Sequence, residues 1–545
     1  MSLSRMDSTG VTNWDQLTLA TVVAARRGPT ISSRLLALVN QALYDAWAAF
    51  DPKARGFTID LHAQAFGLPG LNASSELVAA AMAQAAAGVL RSVGASLFAN
   101  QTLPAELASA IDAAKTVAMS TLPQARQQQV SRLAAAVEKA VLTRALADGA
   151  NQQGSYADTT GYRPQPSVFQ ASPYDPAGPI DSHWQPLPQP TAANPNAVQQ
   201  PLTPQWGGVR GFALQNGNQF RPAPDEVINP YLGDRNTPNP KFRQSLLEVV
   251  DISSHLTAQQ KAIAEYWESG PGTSFPPGQW MAFTTDLIKQ QHLDLGQSVK
   301  LSFTVSQALL DAGIAAWDTK YAYDTVRPIT AVRQTYYDQL IADWRGPVQG
   351  ALWSPYQNPA SLTPNFPSLV SGHSTFSSAA SAVLRGLLGT NLFSRSITLK
   401  DIHSRFDPNG FDGQPGLGSD VQLGWKYFSE AADQAGMSRL YGGIHFSADN
   451  LLGSEMGIQI GNQALARATA LFKDSPRPES MPDIPATVFG SMSADVLSYR
   501  DVLTGQAHKT HPSSMQIYGF GGDDLLINTG TSARVELFGG DGLDV

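Results

Sequence analysis

The chain has 545 residues, a formal net charge of −8, 42% hydrophobic residues and no cysteine. That length exceeds one ordinary core and predicts more than one lobe. Missing cysteine excludes disulfides and thiolate chemistry, and an acidic balance without a long basic run argues against a nucleic-acid partner. The composition reads as a soluble globular protein, no membrane span is predicted, and residues 1–28 lack the basic-then-apolar layout of a signal peptide.

Residues 31–150 are rich in Ala, Leu and Gln. Leu36, Val39, Leu43, Trp47 and Phe50 fall 3, 4, 4 and 3 apart, one apolar helix stripe. Further helices are predicted over 75–97, 103–119 and 123–148, so 1–150 is read as an N-terminal helical bundle. Tyr44 and Trp47 are read as core. Between Pro164 and Pro240 the character changes: sixteen of the 37 prolines lie there, which forbids continuous helix or central strand. Tyr162, Trp184, Trp206 and Phe220 are interleaved, and a merely flexible linker is rarely so aromatic. Residues 151–250 therefore predict an ordered, extended wrap with a few short strands, anchored at Trp206-Gly207-Gly208-Val209.

Helices are predicted again over 257–268, 276–291, 297–326, 373–388, 421–440 and 447–472, with 389–420 mostly loop. This defines a second bundle over 251–475. Residues 476–545 form a tail with Gly519-Phe520-Gly521-Gly522-Asp523-Asp524 and Gly539-Gly540-Asp541-Gly542-Leu543-Asp544-Val545. The predicted fold class is mainly α: two helical bundles, a Pro-rich extended connecting segment and a Gly/Asp-rich C-terminal tail.

Three blocks in the second bundle carry chemistry. The first is Trp317, Lys320, Asp324 and Arg327, stepping by 3, 4 and 3 toward Pro328. Pro328 disfavours helix at the residue before it, so the helix is placed to end near Arg327, with these four residues on one face. Two cations side by side are costly unless an anion sits between them, and Asp324 offsets some of the repulsion. The second block is Phe366 through Ser371-Gly372-His373, leading into an apolar helix. A helix start offers unpaired N–H groups and partial positive charge, Gly372 allows close approach, Ser371 offers a hydroxyl, and His373 an acid or base. The third block is Ser438-Arg439 near one helix end, a turn at Gly442-Gly443, then His445, expected to open the next helix, and Asp449. Asp449 lies one turn on and can hold one imidazole nitrogen so that the other faces an oxyanion. Each block alone also fits a bland reading: a solvated charged face, an N-cap with a surface histidine, a satisfied core histidine. Together they suit a phosphate- or vanadate-like oxyanion held against a histidine nitrogen.

The order Lys-x6-Arg-Pro, Ser-Gly-His, Ser-Arg-x5-His-x3-Asp resembles the signature of vanadium-dependent haloperoxidases, whose site is shared by the type-2 phosphatidic acid phosphatase superfamily. The resemblance covers 317–449 and, in style, the helix around Asn40–Trp47. It implies a pair of helical bundles. It implies that Lys320, Arg327 and Arg439 bind vanadate oxygens, that Ser371 and Gly372 hydrogen-bond them, and that His445 is the vanadium ligand, or the nucleophile in a phosphatase. It implies His373 as the acid–base residue and Lys320 as the group that polarises peroxide. Trp317 and Phe366 match aromatic positions on the halide side of fungal-type chloroperoxidases, whereas algal bromoperoxidases tend to have histidine at the second. The usual proline before Ser-Gly-His is Val370 here. The implied partners are hydrogen peroxide, halide and small organic substrates, with vanadium(V) unchanged in oxidation state.

Two alternatives stand beside this reading. One is a soluble acid phosphatase with a phosphohistidine at His445. The other is a secreted calcium-binding structural protein with an unused pocket. The tail resembles a degenerate calcium repeat, with Asp541 and Asp544 as candidate calcium ligands. If real, it suggests export without an N-terminal signal. Halide preference, organic substrate and oligomeric state stay open, a homodimer being compatible with large bundles.

Overall fold

The computed structural model describes residues 10–473, apart from 71, 168–179, 190–193, 233–236, 360 and 412–418, together with the backbone of five short strands between 486 and 538. The helices of the first half are α1 (Val11–Ala25), α2 (Pro29–Ala48), α3 (Ser75–Ala95), α4 (Ala105–Ser120) and α5 (Gln124–Leu146). Those of the second are α6 (Pro240–Ser254), α7 (Ala258–Tyr266), α8 (Phe275–Gln290), α9 (Leu295–Tyr323), α10 (Pro328–Thr335), α11 (Gly372–Leu388), α12 (Phe428–Tyr441) and α13 (Ser447–Phe472). The mainly helical class is as expected. Among the described residues only α3 is long and apolar enough to cross a membrane, and 72% of its most apolar stretch is buried inside the protein.

The packing centres on α2 and α9. Every residue of α2 from Thr30 to Ala48 is buried, because this helix carries apolar or small side chains nearly all round. Its polar exceptions are paired: Arg34 with Asp148 at 2.6 Å and Asn40 with Asp15 at 2.7 Å. Helix α9 has 29 residues, about 44 Å of rise, and starts with an Asp294–Gln297 capping box. It packs against both α2 and α11. One apolar core runs from Val11 to Phe472, drawing on both halves of the chain. Tyr44 and Trp47 lie in it.

Where described, residues 151–239 hold 3-10 turns and isolated bridges such as Pro188–Val198 rather than the expected strands. Prolines cannot donate to a ladder, so the pairing stops at single bridges. Trp206 is fully buried in the turn Pro204–Gly208, and a Cβ on Gly207 would lie 2.7 Å from the Asp318 Cα. The wrap is thus pinned directly onto the α9 backbone. Its end is corrected: Pro240 begins helix α6, because proline is tolerated at a first helical position and Asn239 caps the Lys241 N–H.

A second correction concerns 389–440. The expected loop over 389–420 and helix from 421 are instead the antiparallel strands β3 (Leu392–Ile402) and β4 (Ser419–Tyr427), with the helix starting only at Phe428. A small hairpin, β1 (Leu340–Asp343) with β2 (Gly346–Gln349), precedes them in the chain. Val421, Leu423 and Trp425 are buried while Gln422 and Gly424 are exposed. This is a period of two, which overrides the helical continuation. Beyond 473, β5 (Ala486–Phe489), β7 (Ser514–Tyr518) and β9 (Arg534–Phe538) form one parallel sheet, and β6 (Val496–Ser498) pairs β8 (Leu525–Ile527). The candidate calcium ligands Asp541 and Asp544 lie outside the described residues.

Candidate oxyanion site

Helices α11 and α13 set the site. Glycines 453, 457 and 461 recur every fourth residue along α13, on one face. A Cβ at Gly457 would lie 2.4 Å from the Thr375 carbonyl oxygen, and one at Gly461 2.5 Å from that of Ala379. Only glycine lets the helices approach so closely. The result seats the start of α11 against the start of α13: the Ser371 N–H donates to the Asp449 carbonyl at 2.8 Å. The three sequence blocks therefore meet.

Ser371 is the N-cap of α11, its hydroxyl oxygen accepting from the Ser374 N–H at 3.3 Å. An accepting hydroxyl still has its own proton to donate. The N–H groups of Gly372 and His373, in the first turn, have no intrahelical acceptor.

Helix α9 ends at Tyr323, not near Arg327. Asp324 is its C-cap in the left-handed region (φ 49°), and Arg327 is the extended N-cap of α10 (φ −85°, ψ 151°). The expected single face of four residues is therefore corrected. The Pro328 restriction accounts for the extended backbone of Arg327 alone, whereas the helix ends earlier, at the left-handed turn of Asp324. Asp324 does not offset the cations either: it accepts from the Tyr162 hydroxyl at 2.6 Å, and burial raises its carboxyl to about 6.

The cations are nonetheless brought together. Lys320 is fully buried, its ammonium donating to the carbonyls of Pro367 (3.1 Å), Ser368 (2.9 Å) and Val370 (2.5 Å). All three N–H groups are taken, so in this arrangement it acts through its charge. Burial and the Arg327 charge hold it well below the ordinary lysine range. Arg327 donates to the Phe366 and Ile444 carbonyls at 2.9 and 2.8 Å, and its Nη2 has no partner among the described residues. Arg439 donates to the Trp267 carbonyl and Gln357 Oε1, each at 3.2 Å, and its Nε is unpartnered among the described residues. Burial pulls Arg327 down to about 9 and Arg439 to about 10. Three buried cations face one buried carboxylate, Asp449. A buried charge without a partner is costly, and orphaned guanidinium N–H groups are rare. Both features suit an anion. Among the described residues no cluster of three His, Cys, Asp or Glu could hold a metal cation.

His445 is oriented for lone-pair chemistry. Its Nδ1 lies 2.9 Å from Asp449 Oδ2 and its Nε2 3.1 Å from Arg327 Nη1. A guanidinium only donates, so Nε2 is the acceptor and Nδ1 carries the proton. Burial, then the charges of Arg327, Lys320 and Arg439, hold the imidazole well below its usual range. Asp449 also accepts from the Ser368 hydroxyl at 2.5 Å and the Phe446 N–H at 3.2 Å, capping α13 while it orients His445. Burial pushes its carboxyl up, and Ser368 and Lys320 oppose that. His373 donates from Nε2 to the Trp267 carbonyl at 2.7 Å, and burial and the Arg439 charge hold its imidazole well below the usual range.

A cavity of about 230 Å³ opens onto His373, Gly372, Arg439 and His445. Trp317 and Phe366 form part of its wall, their rings 4.8 Å apart. The Lys320 ammonium lies 4.9 Å and the Arg327 guanidinium 5.0 Å from the Phe366 ring, a cation–π contact on each. Four participants escaped the sequence reading: Ser368, Gln357, the Trp267 carbonyl and the glycine stripe of α13. Only the last had a sequence signal, the Gly-x3-Gly-x3-Gly repeat.

Two family models match the chain: the N-terminal domain of vanadium chloroperoxidase over residues 11–213 and its second helical-bundle domain over residues 300–474. Similar solved structures include the holo form of a bacterial vanadium-dependent chloroperoxidase (20% identity, TM-score 0.66, covering 82% of this chain and 93% of that one). The apo form of such an enzyme follows (21%, 0.65, 82% and 94%). A bacterial vanadium-dependent iodoperoxidase gives 20%, 0.60, 83% and 95%. At such identities the structural likeness speaks to the fold. No curated protein matches by sequence.

Proposed function

The chain belongs to the vanadium haloperoxidase family, and we propose that it oxidises halide with hydrogen peroxide to a hypohalous acid equivalent that halogenates small organic molecules. The observation that carries this reading is the neutral His445, its Nε2 lone pair turned to Arg327 beside two further buried cations.

The donor set fits vanadate. His445 Nε2 would be the vanadium ligand. Arg327 Nη2, Arg439 Nε, the Ser371 hydroxyl and the first N–H groups of α11 would hold the oxygens, and Lys320 would add charge from behind. When bound, vanadate supplies a Lewis-acidic centre that makes peroxide electrophilic toward halide. The fixed cations stabilise negative charge without reorganising, the usual source of large rate effects. With Nε2–H bonded to Trp267, His373 has Nδ1 as a base for a peroxide proton. Trp317 and Phe366 would offer halide an apolar wall beside Lys320. Phe366→His is expected to shift the chloride-to-bromide ratio of kcat/KM toward bromide by about tenfold, the scale of one pocket contact. Steady-state rates with each halide check this.

A phosphatase would use the same His445 Nε2 as nucleophile. Bromination of a phenolic dye by metal-stripped protein, with and without orthovanadate and with phosphate as competitor, separates the two. Activity only with vanadate, reduced by phosphate, supports the haloperoxidase. No bromination, with vanadate-inhibited release of phosphate from an aryl phosphate, sinks it. Binding should also relieve the excess buried charge. Vanadate or phosphate at 100 times Kd is expected to raise Tm by roughly 3 °C, and sodium sulfate at equal ionic strength by less if charge and size are both matched.

A further inference from the structure

The outer half of the cavity has chemistry that halide and peroxide do not need. Between α1 and α2 the chain runs Arg26-Arg27-Gly28, and all three residues line the cavity. Arg26 is exposed and Arg27 half-buried, whereas Arg439 and His445, at the other end, are each 2% exposed. The two outer arginines therefore mark the mouth. Arg26 Nη2 donates to the Pro271 carbonyl at 3.3 Å, and Arg27 Nη2 to the Ser155 carbonyl at 2.8 Å. Among the described residues neither has a carboxylate within ion-pair distance, and a guanidinium has five N–H donors, so both keep donors to spare. The acid on the cavity wall, Glu268, is engaged by Arg405 at 2.8 Å. The mouth also holds the start of α2, a 20-residue helix whose N-cap, Gly28, has no capping side chain, which adds partial positive charge. Between mouth and floor the wall is apolar and aromatic: Leu202, Phe275, Trp317, Phe366 and Phe376.

An apolar slot with guanidinium groups at the open end and the histidine–arginine floor at the closed end matches one shape of molecule. We propose, on the haloperoxidase reading of the floor, that the cavity binds an aromatic acid, its ring among the apolar residues and its carboxylate on Arg27 and Arg26. The volume, about 230 Å³, lies below the roughly 300–1,000 Å³ of pockets for drug-sized ligands, which selects one or two rings. The ring edge away from the carboxylate then faces the floor, and a C–H carbon on that edge, such as the one beside a phenolic hydroxyl, is the carbon that reacts. Halide, peroxide and a proton give hypohalous acid and water. The acid's oxygen-bound halogen passes to that carbon as the electrophile, a carbon–halogen bond forms, the displaced ring proton leaves with hydroxide as water, and halogenation is directed away from the carboxylate.

The test compares 4-hydroxybenzoate with its neutral isostere 4-hydroxybenzamide. Binding is followed by calorimetry on protein saturated with orthovanadate, without peroxide, so that the carboxylate cannot use the floor. The acid is expected to bind at least about tenfold more tightly than the amide, a gap of the size one charge-assisted contact supplies, and the gap should narrow with salt. In Arg27→Gln, and further in Arg26→Gln/Arg27→Gln, the acid should weaken about tenfold while the amide is unchanged, and Arg27→Lys should restore part of the loss. Equal binding of acid and amide overturns the proposal, as does acid binding indifferent to both arginines. Parallel loss of both ligands in the variants overturns it as well, since the arginines would then only shape the cavity. The preference is read from binding alone. If it is present and no halogenation follows, the haloperoxidase reading fails and the aromatic-acid site stands.

Discussion

His445→Ala is expected to lose tight vanadate binding, with Kd rising by more than about 100-fold, because removing groups that merely support a metal ligand already costs about 10–100-fold. The variant removes the Nε2 lone pair that faces Arg327 at 3.1 Å and leaves Asp449 with two of its three side-chain partners, Ser368 and Phe446. Leaving that carboxylate partly unsatisfied is expected to cost about 1–3 kcal/mol of stability, which circular dichroism melts would register separately from affinity. His373→Ala is the contrast. It bonds to the Trp267 carbonyl rather than to Arg327 or Asp449, so vanadate affinity should stay within a few-fold while halide oxidation slows by about 10²–10⁴-fold, the range for a general acid–base group. Equilibrium dialysis of vanadate with both variants checks the pair. Equal affinity in wild type and His445→Ala would remove the basis for the assigned ligand.

Lys320→Met should lower kcat by about 10²–10³-fold, the effect of deleting one preorganised electrostatic group. Methionine fills nearly the same volume without the charge. Two effects on stability oppose each other: the Pro367, Ser368 and Val370 carbonyls lose their donor, and a buried ammonium crowded by Arg327 is no longer paid for. The net change in Tm should therefore be small beside the kinetic loss. A stopped-flow halide oxidation assay with a thermal melt on the same preparation reads both. Unchanged kcat would mean that Lys320 only braces the 367–370 segment.

The site illustrates how far one chain of letters can be read. Residue identities and spacing predict Ser371 at a helix start and Arg439 near a helix end, since each depends on local rules of capping and period, whereas His445, expected to open the next helix, lies just before its N-cap Phe446. Long amphipathic runs likewise located α3, α5, α8 and α13 within a few residues. Local rules also failed where two of them competed. Across 419–427 a period-two alternation runs directly into a helix, and the longer helical pattern masks the strand. At 324–327 the proline rule predicts a helix ending beside Pro328, whereas the backbone leaves the helix at Asp324 in a left-handed turn.

The sequence by itself determined which groups could meet an oxyanion: three cations, a capping serine and two histidines, in an order that few other chemistries require. Tertiary structure alone decided what each group does. It spent the Lys320 donors on three carbonyls, left Arg327 Nη2 and Arg439 Nε without a partner among the described residues, and assigned the His445 proton to Nδ1 through Asp449 and Arg327. These outcomes rest on contacts across tens to hundreds of residues, such as Trp267 with Arg439, 172 apart. They also rest on the glycine face that lets α11 and α13 close to backbone contact. Hydrogen-bond partners and desolvation are properties of neighbours in space, and local sequence rules govern only neighbours along the chain.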